Sequence, residues 1–144
     1  MTIEFLYSFI SKNKYAVLST VTKDNRAEAA LVGIAVTTDL KIIFDTVHTS
    51  RKYQNLINNP SIAFVIGLQN EQTVQYEGIA KIPTPDELDK LLPTYFNAFP
   101  DGQDRKENWK DIAYFIVEPQ WIRYSDFGIS PKIEEKTFDN IAIR

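Results

Sequence analysis

Three strand-like runs separated by short polar turns fill the chain from Tyr15 to Thr46, and they leave few folds open. Tyr15-Ala16-Val17-Leu18-Ser19-Thr20-Val21 mixes β-branched and apolar residues, and Thr22-Lys23-Asp24-Asn25 supplies the side chains that favour a tight turn. Glu28–Val36 is the second run, Thr37-Thr38-Asp39-Leu40 the second turn, and Lys41–Thr46 the third run. Parallel neighbours need a crossover of a dozen or more residues, so turns this short predict an antiparallel meander.

The remaining chain predicts more strands with helices set between them. Thr2 caps a helix that places Ile3, Leu6, Tyr7 and Ile10 on one face. A second helix, Ser50 to Asn58, turns Tyr53, Leu56 and Ile57 inward and stops at Asn58-Asn59-Pro60. Ser61–Leu68 and Thr73–Ile82 read as a hairpin across Gln69–Gln72. Thr84, Pro85 and Glu87 make a strong helix start, and that helix runs to Phe96 with Leu88, Leu91 and Leu92 inward. Pro93 marks a point where it can kink or divide. Asn97–Lys110 reads as a polar connector, Ile112–Val117 and Pro119–Tyr124 as two extended pieces, and the tail from Ser125 as weakly patterned. The expected architecture is a single domain over residues 1–144, mainly β, a β-barrel with peripheral helices.

Composition removes several function classes. Net charge is −3, so no global basic field recommends nucleic acid or an anionic membrane. The absence of cysteine excludes disulfides, thiolate metal sites and thiol nucleophiles, and the single histidine excludes multi-histidine metal sites, so no metal is expected. None of the five glycines stands in a G-x-G arrangement, which argues against a Rossmann or Walker site. No basic-then-apolar leader and no apolar run of membrane length is present, and a cytoplasmic location is expected.

One corner concentrates chemistry. Phe44-Asp45-Thr46-Val47-His48-Thr49-Ser50-Arg51-Lys52 takes the chain from a strand into a helix through three hydroxyl side chains and two adjacent cations. Free N–H groups at a helix start favour an anion, and each charge-assisted hydrogen bond contributes about 1.5–3 kcal/mol. The same residues also read as an ordinary capped helix with two solvated cations. His48 reads chiefly as a surface or hydrogen-bonding residue, and Glu28, Asp45 and Glu77 as solvated rim residues.

In order along the chain, Ala16–Val21 with Lys23-Asp24-Asn25-Arg26, Ala30-Leu31-Val32-Gly33, Phe44-Asp45-Thr46 with Ser50-Arg51-Lys52 and Asn59-Pro60, Val74–Ala80, and Pro119–Tyr124 form a series. It resembles the pyridoxamine 5′-phosphate oxidase-like, FMN-binding split-barrel family. The resemblance implies a six-stranded antiparallel split barrel and a homodimer with FMN in a cleft at the dimer interface. It further implies that Arg51 and Lys52 pair with the phosphate, that Thr46 and Ser50 supply hydroxyls, and that the Ala30–Ala35 strand, Val32 included, runs its main chain beside the flavin ring. Gln75 stands in for a ring-contacting glutamine whose own place is taken by Thr73.

Departures from the family pattern are also legible. Ala30 and Ala35 replace an arginine and a lysine, Asp45 replaces an aromatic residue, Ser125 replaces a tryptophan, and no Arg-Leu-His segment is present. Vitamin B6 oxidation is therefore not expected. The resemblance implies an FMN-dependent oxidoreductase that uses NAD(P)H and a small-molecule substrate, its catalytic residues unassigned. The alternative is a non-catalytic flavin- or haem-binding stress or sensor module.

Overall fold

The computed structural model describes residues 1–139. The last five residues of the expected 1–144 domain lie outside them. The elements run α1 (Ile3–Lys12), β1 (Tyr15–Val21), β2 (Ala27–Gly33), β3 (Ala35–Val36), β4 (Ile42–Val47), α2 (Arg51–Asn58), β5 (Ser61–Ile66), β6 (Gln72–Lys81), α3 (Pro85–Ala98), α4 (Gly102–Asn108), β7 (Ile112–Asp126) and β8 (Lys132–Thr137).

All strands belong to one antiparallel sheet in the order β2-β1-β5-β6-β7-β4-β3, with β8 on the far side of β7. The two end strands, β2 and β3, are parts of one extended segment joined at Ile34. That segment pairs with β1 from Ala27 to Gly33, then with β4 at Ala35 and Val36, so the sheet curls into a split barrel. The expected second strand Glu28–Val36 is thus two strands. The Ile34 N–H donates to the Lys14 carbonyl at 2.7 Å and fixes the change of partner.

Alternation along the strands sorts side chains into two cores. Leu18, Ile42, Phe44, Phe64, Tyr76 and Phe115 point into the barrel, where α1 adds Leu6 and Ile10. On the outer face of β3, β4 and β7, Ala35, Ile43 and Tyr114 pack under Leu92, Tyr95 and Phe99 of α3 and its C-terminal cap. The Tyr76 hydroxyl lies 2.7 Å from the Leu40 carbonyl and 3.2 Å from that of Val117, which ties the strained Leu40 turn (φ 68°) into the core. Burial pushes the Tyr76 pKa up, so the hydroxyl stays a donor.

Several expectations change. Ile57 is exposed, and α2 buries Asn55 beside Leu56 instead, because the inward residue meets the polar pair Thr20 and Glu28. The Asn97–Lys110 connector contains α4. Arg105 reaches from it to Asp45 (2.9 Å), to Asp101 (2.7 Å) and to the Tyr95 hydroxyl (3.2 Å). The two extended pieces on either side of Glu118 are one strand, β7, with a register shift opposite Glu77 and Gly78 that leaves Gln120 unmatched. The weakly patterned tail adds β8, whose Glu135 pairs with Arg123 and whose Glu134 pairs with the N-terminal ammonium. Pro93 sits inside an unbroken α3.

Gly78 marks the bulge, where a Cβ would overlap the Glu118 carbonyl oxygen. Gly78→Ala is expected to destabilise the fold by about 1–3 kcal/mol, read from urea denaturation.

The α3 start is a reciprocal cap: Thr84 accepts from the Glu87 N–H (3.2 Å) and Glu87 accepts from the Thr84 N–H (3.0 Å). That backbone bond, followed by Lys81, brings the Glu87 carboxyl down from 4.5 to about 2. A lowered carboxylate pKa contributes stability that is complete above pH 4.5 and is lost as pH falls toward 2. Glu87→Ala is expected to cost under about 1 kcal/mol at neutral pH, and denaturation curves across pH should show its deficit closing toward pH 2.

Candidate functional site

Within the described residues β2 pairs only with β1, from Ala27 to Gly33, and β4 has β3 on its other side only at Ile42 and Ile43. The barrel is therefore open along the outer edge of β2, and α2 begins directly after β4. A cleft of about 300 Å³ lies there, lined by Leu18, Thr20, Glu28, Ala29, Ala30, Arg51 and Lys52.

Local chemistry sets the corner's geometry. Ser50 has extended backbone angles (φ −73°, ψ 154°) and caps α2 by accepting the Tyr53 N–H at 3.1 Å. It also accepts the Thr46 hydroxyl at 2.9 Å, so its own hydrogen stays free to donate. The N–H groups of Arg51 and Lys52 open the helix with no intrahelical acceptor. Lys52 is half-buried, lines the cleft and has no ion-pair partner among the described residues.

Arg51 is already engaged. Its Nη2 lies 2.5 Å from Glu28 Oε2, with the arginine side chain 76% exposed and the glutamate 21%. Asn55 Nδ2 donates to Glu28 Oε1 at 2.8 Å and to the Thr20 hydroxyl at 2.9 Å. The Asn55 hydrogen bond, then Arg51, holds the Glu28 carboxyl below the usual carboxylate range, so it is ionised at neutral pH. Glu28 is thus no solvated rim residue but an anion inside the cationic corner.

The structure brings some sequence-predicted residues together and separates others. Arg51 and Lys52 line the cleft, while Thr46 and Ser50 build the helix start behind them. Val32 lies on the same strand, but its side chain is buried in the barrel opposite Ala16, so only its main chain is available. Gln75 lies apart from the cleft, on the outer sheet face in the cross-strand row Leu31, Val17, Val65, Gln75, Arg123. Glu28, Thr20 and Asn55 are the residues sequence reading missed. The available signal was the position of Glu28 on the inward side of its strand, in line with Ala30 and Val32.

His48 is exposed and stacks on Tyr53, with ring centroids 4.8 Å apart. It does not line the cleft. Asp45, one residue from Thr46, points to the other face and anchors Arg105. No helix among the described residues is long and apolar enough to cross a membrane.

Asn55 is 8% exposed and holds two acceptors at once. Asn55→Ala is expected to lower stability by about 1–3 kcal/mol in urea denaturation, because the buried Thr20 hydroxyl loses its donor.

A family profile described as pyridoxamine 5'-phosphate oxidase matches residues 3–126. Solved structures share the fold at low identity. A haem binding protein from Mycobacterium smegmatis superposes with TM-score 0.78 at 16% identity, over 95% of this chain and 58% of that one. General Stress Protein 26 from Bacillus anthracis gives 0.68 at 21%, over 93% and 98%. A pyridoxamine 5'-phosphate oxidase-related, FMN binding protein from Nostoc punctiforme gives 0.65 at 12%, over 88% and 87%. No curated protein sequence matches the chain significantly.

Proposed function

The chain belongs to the pyridoxamine 5'-phosphate oxidase family, and we propose that it is an FMN-dependent oxidoreductase that moves hydride or electrons between a reduced nicotinamide and a small acceptor. The observation that carries this reading is the cleft. A helix start with free N–H groups and two cations abuts an open strand edge where Ala29 and Ala30 leave room for a flat ring. The donor set fits a phosphomonoester.

FMN, when bound, supplies the redox chemistry. Lys52 and Arg51 would hold its phosphate, and the Ser50 hydroxyl and the first α2 N–H groups would add hydrogen bonds. Thr46 keeps Ser50 oriented through their 2.9 Å contact. The unpaired edge of β2, from Ala29 through Val32, offers main-chain donors and acceptors to the ring. The cytoplasmic homodimer belongs to the same proposal. Tyr15, Leu31 and Val65 expose apolar surface on the outer sheet face next to this edge, and Gln75 lies among them, where a second subunit would bring it toward the ring.

The alternative is a flavin- or haem-binding module without catalysis, as the haem binding and stress-protein relatives suggest by their fold. The one histidine of the chain, His48, lies outside the cleft.

Arg51→Ala with Lys52→Ala is expected to weaken FMN binding by about tenfold to a hundredfold while riboflavin affinity stays within about twofold. Flavin fluorescence titration reads both. Equal losses for the two ligands overturn the phosphate assignment. Bleaching of the bound flavin by NADPH or NADH supports the enzyme, whereas a flavin that stays oxidised supports the binding module.

A further inference from the structure

Away from the corner lie a polar hollow between α1 and the β5–β6 hairpin and an apolar patch at Leu68 and Phe127. Among the described residues, neither holds convergent charge or a buried unpartnered group. The corner itself carries more, because it contains a carboxylate where an anion is expected to bind.

We propose that Glu28 is a specificity-setting residue: an internal counter-anion that opposes ligand phosphate at Arg51, so that the cleft holds phosphorylated ligands loosely and its preference for them rests on Lys52. The proposal rests on the reading of the cleft as a phosphate site and goes beyond it by naming what limits its affinity.

The geometry allows two arrangements, and Glu28 works against the ligand in both. Arg51 keeps Glu28 at 2.5 Å, in which case one end of its guanidinium is occupied and the phosphate binds next to a carboxylate. Otherwise Arg51 swings to the phosphate and Glu28 loses its cation in a partly buried place. Retreat into solvent is restricted, because Asn55 holds Glu28 Oε1 at 2.8 Å and is itself fixed by the buried Thr20. Like charges this close, partly shielded from water, repel more than exposed ones. Ala30, in line with Glu28 on the cleft side of β2, carries no charge, so no cation at that position offsets the carboxylate. A neutral ligand such as riboflavin feels none of this.

Glu28→Gln keeps the side-chain volume and an oxygen acceptor for Asn55 while removing the charge. FMN affinity of this variant is expected to rise by about threefold to tenfold over the parent, with riboflavin unchanged. In an Arg51→Ala background the gain is expected to persist, since the carboxylate then opposes the phosphate with no arginine beside it. Glu28→Ala supplies a second arm and is expected to shift FMN affinity in the same direction. Fluorescence titrations of both flavins with each protein give all the values.

An FMN affinity that is unchanged or reduced in Glu28→Gln, while Arg51→Ala still weakens FMN, overturns the proposal alone and makes Glu28 a support for Arg51. FMN binding that ignores Arg51 and Lys52 altogether overturns the phosphate reading, and this proposal with it.

Discussion

The fold depends on one extended segment serving both ends of its sheet. Ala27–Gly33 pairs with β1 and Ala35–Val36 pairs with β4, so the strand order closes on itself through Ile34. Closure has a steric condition at the changeover. Phe99, from the end of α3, lies across Gly33, where a Cβ would sit 2.6 Å from the ring's Cζ. A segment that switches partners cannot pair on both sides along its whole length. The edge of β2 before the switch is left open, and the cleft is the consequence.

The start of α2 gives that opening its chemistry. A strand ending in Thr46 and a cap at Ser50 place two cations and two free N–H groups beside the open edge, on a chain whose net charge is −3. The same β2 edge carries Glu28, held by Asn55 and Arg51. The corner is therefore balanced rather than purely cationic, with Lys52 as its unpaired charge among the described residues. The two acidic residues nearest the corner act differently: Glu28 faces the cleft, while Asp45 faces α4 and secures Arg105.

Local patterning made most of the fold legible. Tyr15–Val21 is a strand with those bounds, Thr2 and Thr84 cap their helices, and the two short turns join antiparallel neighbours. Readings failed where a partner distant in sequence decided the outcome. The polar run after Asn97 folds as α4 because Arg105 finds Asp45 across the structure. The tail forms β8 because β7 offers it an edge, with Arg123 opposite Glu135. Asn55 displaces Ile57 from the buried face of α2 because Thr20 and Glu28 await it on β1 and β2. At the site, the cations were visible as a local cluster. The carboxylate that engages one of them lies 23 positions away and appears only once β2 is laid beside α2.

Whether this corner receives a phosphate is read by phosphorus NMR of FMN bound to the protein. The phosphorus resonance of bound FMN is expected to be shifted and broadened relative to free FMN, and its position to move in Lys52→Ala. A bound flavin whose phosphorus signal keeps the free position, indifferent to Lys52, would place the phosphate in solvent and rule out this corner as its site.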